Sequence, residues 1–232
     1  MRDWIKIYGL PRTGTNYVQS LISTNFIIQT THFFGWKHAA PFYKIDWTGS
    51  DWAKPFGMER PDIVAKALPI KDEVEKALEI GRFYFIITVK NPYAWYVSNK
   101  SFGHLKLKRD GITVLDEKFM EWYNERNNQY YDYYQTKPFN THFIKYEDFY
   151  HNGYINVLNE VQKKFNLEIR HKEYSNFTKV IGNPSDLSPR GEHDIKKYED
   201  GFYLDLLGQE AIKFISKYVD KKLMNFFNYE IL

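Results

Sequence analysis

Residues Ile5-Lys6-Ile7-Tyr8-Gly9-Leu10-Pro11-Arg12-Thr13-Gly14-Thr15-Asn16 place a cation, two hydroxyls and two glycines directly after a short β-prone run. Tyr17, Val18, Leu21 and Ile22 then recur at helical spacing. Strand, glycine-containing loop and helix, in that order, turn backbone N–H groups and the positive end of a helix dipole toward an anion. Gly9 and Gly14 have the spacing of the phosphate loop of nucleoside triphosphatases, but that motif continues with Lys and then Ser or Thr. Here Thr15 and Asn16 occupy those positions. The cation sits inside the loop instead, as Arg12, and the hydroxyl that would hold magnesium is missing. Such a loop suits a metal-free anion better than magnesium-bound ATP. Two glycines also fit an ordinary strand-to-helix turn; the arginine and the paired threonines favour the anion.

A second segment carries complementary chemistry. Phe83 to Lys90 is apolar and β-branched, as a buried strand is. Asn91 fits a helix N-cap and Pro92 the first helical position, with a helix running to about Phe102. Lys90 closes the strand and Ser98 lies two turns into the helix, roughly 9 Å along its axis. A cation and a hydroxyl so placed reach one phosphate from two sides.

Taken together, these residues resemble the sulfotransferases that use 3′-phosphoadenosine 5′-phosphosulfate (PAPS). Pro11-Arg12-Thr13-Gly14-Thr15 is similar to the family's loop for the 5′-phosphosulfate. The resemblance implies that Pro11, Arg12, Thr13, Gly14, Thr15 and Asn16 hold that group and that Lys90 and Ser98 hold the 3′-phosphate. Lysine stands at position 90 where many members use arginine. Phe143-Ile144-Lys145-Tyr146-Glu147-Asp148 looks like a later strand of the family, ending in Tyr-Glu-Asp. Pro189-Arg190-Gly191 looks like its nucleotide-covering loop, so Arg190 and Gly191 join the implied cofactor contacts. The lysine often found beside that arginine is absent. The motifs span nearly the whole chain in the family's order.

What the resemblance implies is transfer of a sulfuryl group to an acceptor hydroxyl, a carbohydrate or another small alcohol, without a metal. Sulfuryl transfer poses the problem of phosphoryl transfer: in-line geometry, and charge to be stabilised on the leaving oxygen. Arg12 would supply that electrostatic stabilisation. The acceptor needs a general base, usually His or Glu in this family. His32 and His38 both follow the expected second strand. His38 sits in Gly35-Trp36-Lys37-His38-Ala39 at the start of an irregular stretch, whereas His32 lies within an apolar run and equally suits a partly buried role. Lys37 is placed to assist at the sulfonate. Glu147 and Asp148 read as capping or structural charges. A nucleotide-dependent kinase with a degenerate loop and a non-catalytic nucleotide-binding module are the alternatives.

The elements that must position these groups follow from pattern. The chain has 232 residues, 43% of them hydrophobic and 19% aromatic, enough for one domain over 1–232 with a real core and far from disorder. A net charge of +3 admits an anionic ligand without calling for nucleic acid. No cysteine is present, which points to a reducing, cytoplasmic setting and excludes disulfides and cysteine metal sites. The other histidines show no metal spacing. The first strand begins within four residues of Met1, leaving no room for a signal peptide, and no apolar run reaches membrane-spanning length. A second strand is expected within 26–34, helices over 72–80, 116–135, 153–166 and 208–225, and a strand over 141–147. In the helix over 116–135, Phe119, Trp122, Tyr123, Arg126, Tyr130 and Tyr134 trace the expected inward stripe. In the next helix Ile155, Leu158, Val161 and Phe165 do so. Residues 35–70 hold four prolines and three tryptophans in an irregular excursion, and 182–200 read as a mobile loop able to close over nucleotide. Alternating helices and short apolar strands imply an α/β fold: a mostly parallel sheet flanked by helices on both faces, with the P-loop-like architecture of the sulfotransferases. Ligands then bind at the carboxyl ends of the strands.

Overall fold

Six residues, Trp4–Gly9, form strand β1, and every one of them is buried. A strand covered on both faces has no solvated side, which is why apolar residues fall on both faces of it, with the buried Lys6 among them. Helix α1 (Thr15–Asn25) follows, then a two-residue strand β2 (Gln29–Thr30). Helix α2 is Lys71–Glu79, β3 is Phe83–Val89 and α3 is Pro92–Phe102. Helix α4 is Glu117–Thr136, β4 is Thr141–Lys145, and the short α5 (Asp148–His151) leads into α6 (Gly153–Phe165). Helices α7 (Phe202–Tyr218) and α8 (Lys221–Phe227) end the chain. The computed structural model describes residues 2–31, 34–41, 70–102, 116–176 and 202–232.

The four strands are all parallel, in the order β2-β1-β3-β4. The fold is therefore α/β. Odd and even positions of β1 face opposite layers. Ile5 and Ile7 pack with Val18, Leu21 and Ile22 of α1 and with Leu158, Val161 and Phe165 of α6. Trp4 and Tyr8 pack on the other side with aromatic residues of α3 and α4 and apolar residues of α7 and α8. Fully burying one such apolar side chain contributes roughly 1.5–3 kcal/mol, so both layers are needed to hold the central strand. Winding reverses between β1 and β3, because the chain goes from β1 to one side and then crosses to the other. The topological switch point therefore lies at the carboxyl ends of those two strands, where open α/β sheets place their ligand crevice.

Several sequence expectations shift in detail. Asn91 does cap α3, its side-chain oxygen accepting from the Tyr93 N–H at 3.0 Å, and Asp116 caps α4 through Lys118. The second strand is only Gln29–Thr30, because α1 continues to Asn25 and Phe26 bridges instead to Ile169. Along α4 the packed face is Phe119, Met120, Tyr123, Asn127, Tyr130 and Tyr133; Trp122, Arg126 and Tyr134 flank it half-buried. Ile155 is 49% exposed rather than inward. The buried stripe of α6 centres on Val157, Leu158, Val161 and Phe165, and at about 100° per residue Ile155 falls beyond its edge. The single helix expected over 208–225 is two. Asp220 accepts from Lys222 and Leu223 and starts α8, while α7 begins earlier and bends at Gly208, whose φ is 71°. The excursion is described only at its two ends, and residues 182–200 lie outside the described residues.

Candidate anion-binding site

The loop from Gly9 to Gly14 sits in the crevice, and its two glycines have separate physical reasons. Gly9 pairs with Thr88 across β1 and β3. A Cβ on Gly9 would lie 2.1 Å from Thr88 Oγ1 and 2.7 Å from the Thr88 carbonyl oxygen, so the strands close only around glycine. Gly14 caps α1 with φ of 84°, a left-handed conformation, and a Cβ there would lie 2.6 Å from the Tyr146 ring. Arg12 is also left-handed, with φ of 72°.

Thr13 is a buried brace. Its hydroxyl lies 2.7 Å from the Leu10 carbonyl and 2.7 Å from Thr88 Oγ1, so it closes the loop from beneath. Its backbone N–H also bonds the Leu10 carbonyl. The hydroxyl proton is thus committed inside the fold, where the side chain shapes the loop. Trp95 on α3 donates from Nε1 to the Pro11 carbonyl at 2.8 Å and fixes the loop's other flank. Thr15 and Asn16 open α1. That helix has no side-chain N-cap bond and no acidic residue in its first turn. Its first N–H groups have no acceptor within the helix, and its dipole is uncompensated there. These are the features an anion needs.

Around this helix start the structure gathers the residues expected to carry charge. Arg12 Nε lies 3.4 Å from Ser98 Oγ, joining the loop to α3. Lys90, just past β3, is only 2% exposed, and its Nζ stands 4.4 Å from the centre of the Tyr146 ring. Burial lowers its pKa to about 7; nearby Glu147 acts against this and Arg12 adds to it. Glu147 is pushed the other way by its own burial. Its two carboxylate oxygens accept from the Asn91 N–H at 2.9 Å and the Tyr229 hydroxyl at 2.8 Å. Tyr123 donates to the Lys90 carbonyl at 2.8 Å. Asp148 accepts from the Lys145 N–H. Both acids are thus engaged in hydrogen bonds within the fold.

On the other side of the loop runs the segment after β2. Gly9 donates to the Lys37 carbonyl at 2.9 Å, and His38 Nδ1 lies 2.6 Å from the Gly9 carbonyl oxygen. A carbonyl only accepts, so Nδ1 carries a proton, and whenever the ring is neutral its lone pair is on Nε2. Trp36 packs edge-on against the imidazole, 4.7 Å between ring centres. Lys37 donates from Nζ to Asn16 Oδ1, and burial lowers its pKa. Asn16, standing where a P-loop would hold magnesium, thereby holds the lysine.

Arg12, Thr13, Gly14, Thr15, Asn16, Lys37, His38, Lys90 and Ser98 thus meet at one crevice. His32, Arg190 and Gly191 lie outside the described residues. Sequence reasoning missed Tyr146, Trp95 and Thr88 as supports, and Lys6 altogether. Tyr146 was within reach, because it sits in the Tyr-Glu-Asp motif; the others become visible only once β1 and β3 are paired. Among the described residues no cluster of His, Asp or Glu is fit for a metal ion, and no helix is long and apolar enough to cross a membrane. Comparison of the chain with protein-family models, with curated proteins and with solved structures yields no match.

Proposed function

We propose that the chain is a PAPS-dependent sulfotransferase with that family's P-loop-like architecture, acting in the cytoplasm on a hydroxyl-bearing acceptor such as a carbohydrate or small alcohol. The observation that carries the reading is the convergence of Arg12, Ser98 and Lys90 on the uncapped start of α1, with Lys37 and His38 on the opposite side. One side suits an anionic nucleotide with phosphates at two positions. The other offers a base and a cation where an acceptor would approach.

The residues fit the nucleotide. The first N–H groups of α1 and Arg12 would hold the 5′-phosphosulfate, and Lys90 with Ser98 the 3′-phosphate. The bound donor supplies the sulfuryl group. His38 Nε2 takes the acceptor's proton as the new S–O bond forms, and its Nδ1–H bond to Gly9 keeps the ring in the required tautomer. Arg12 stabilises the negative charge that collects on the leaving 5′-phosphate oxygen. Lys37 neutralises the sulfonate oxygens in transit.

Thermal shift and transfer assays test the reading together. Adenosine 3′,5′-bisphosphate should stabilise the protein, by about 2.7 kcal/mol at a hundred times its dissociation constant. ATP with magnesium should stabilise it far less, because the residues that would bind the metal are replaced. Label from PAPS should appear in an acceptor. Equal stabilisation by ATP-magnesium points to a degenerate kinase, and binding without transfer to any acceptor in a broad screen points to a non-catalytic module.

A further inference from the structure

Lys6 is a charged residue in the middle of a central strand and is 0% exposed. Burying an ammonium is costly unless a specific partner needs it there. Lys6 reaches past Tyr8, 5.1 Å from that ring, and donates from Nζ to the Gly35 carbonyl. Residues 34–39 receive a row of further ties. The Tyr8 hydroxyl donates to the Phe34 carbonyl at 2.6 Å and the Tyr130 hydroxyl to the Ala39 carbonyl at 3.1 Å. Gly9 takes the Lys37 carbonyl and His38 takes the Gly9 carbonyl. The segment that carries Lys37 and His38 is therefore hung from β1 by side chains at positions 6 and 8 and by backbone at position 9.

The nucleotide side of the crevice is held differently. Thr13 is tied to Leu10 and Thr88, and Pro11 to Trp95. None of these three bonds passes through residues 34–39, although Lys37 does reach across to Asn16 at the start of α1. Loss of the Lys6 tie should release one side of the site and spare the other.

We infer that Lys6 is a positioning residue: by holding Gly35 it seats Lys37 and His38 against the anion-binding loop. This deepens the transferase reading and rests on it for its kinetic consequence. A lysine rather than an apolar residue stands here because the partner is a backbone carbonyl, which an apolar side chain would leave without a donor. Misplacing a reacting group by about 1 Å can cost on the order of 10²-fold in rate.

The test uses Lys6→Met, which fills a similar volume without the donor, and Lys6→Gln, which keeps a shorter N–H donor. Three readouts are taken: adenosine 3′,5′-bisphosphate affinity by calorimetry, the transfer rate at saturating donor, and the His38 ring nitrogens with the Gly9 amide by NMR. For Lys6→Met we expect unchanged bisphosphate affinity and a transfer rate roughly 10²-fold lower. We also expect mixed His38 tautomers and faster exchange of the Gly9 amide. Lys6→Gln should recover part of the rate and of the tautomer signature. Wild-type values for the His38 ring and the Gly9 amide in folded Lys6→Met overturn the inference. If the wild-type protein transfers no sulfuryl group, the transferase reading fails, and the ring and amide signals still decide whether Lys6 seats the segment.

Discussion

Anion affinity at the Lys90 side should fall steeply above neutral pH. Burial brings this lysine to about 7 from 10.5, with Arg12 pushing the same way and Glu147 resisting. Only the ammonium form attracts a phosphate. About half of the protein carries that charge at pH 7 and about a tenth at pH 8. An anion that requires it binds with an apparent dissociation constant raised by the inverse of that fraction. Affinity should drop about fivefold from pH 7 to 8 and about tenfold from 8 to 9. Phosphate monoesters are already dianionic there, so the ligand contributes no slope of its own. Titration calorimetry with adenosine 3′,5′-bisphosphate at pH 7, 8 and 9 measures this directly. Repeating pH 8 in buffers of different ionisation enthalpy should show uptake of about 0.9 proton per ligand bound. Lys90→Arg keeps its charge throughout and should flatten the profile. A wild-type affinity that stays constant from pH 7 to 9, with no proton uptake, would refute both the role of Lys90 and the argument from its burial.

Other outcomes follow from the same geometry. Gly14→Ala places a Cβ against the Tyr146 ring in a left-handed backbone and should cost about 1–3 kcal/mol, read as a lower denaturant midpoint; an unchanged midpoint means the ring yields freely. His38→Ala should keep bisphosphate affinity and lose roughly 10²–10⁴-fold in transfer, whereas Arg12→Ala should lose both, by calorimetry and labelled transfer; full activity of His38→Ala removes it as the base. Buried Lys6, lowered to about 7, makes the unfolded chain bind more protons than the folded one between pH 7 and 10.5, so stability rises with pH across that window. The rise amounts to about 5 kcal/mol at about 1.4 kcal/mol per pH unit. Denaturant titrations at pH 7, 8 and 9 should show a shallower rise for Lys6→Met, and identical slopes would contradict the assignment.

The amino-acid order by itself determined the elements with local causes. Asn91-Pro92 starts α3 because an Asx side chain and a pre-set φ satisfy a helix start wherever the strand before it lies. The apolar run of β3 pointed to a sheet covered on both faces, and the residue types from Gly9 to Asn16 marked that loop as a candidate anion site before any pairing was known. Local pattern also misled where competing causes were close in strength. Ile155 has the spacing of a core residue, yet the neighbouring stripe through Val157 won the interior. Asp220 cut a continuous apolar pattern into α7 and α8 because a carboxylate accepting two N–H groups outweighs propensity. Only the tertiary structure decided that Gly9 meets Thr88, that Tyr146 backs both Gly14 and Lys90, and that Lys6 reaches Gly35. Those contacts join residues from 29 to 132 positions apart in the chain. Their cause is the strand order β2-β1-β3-β4, which sets distant segments at one sheet edge. Burial then reshapes the chemistry, because a lysine without water around it no longer holds its proton as a lysine in solution does.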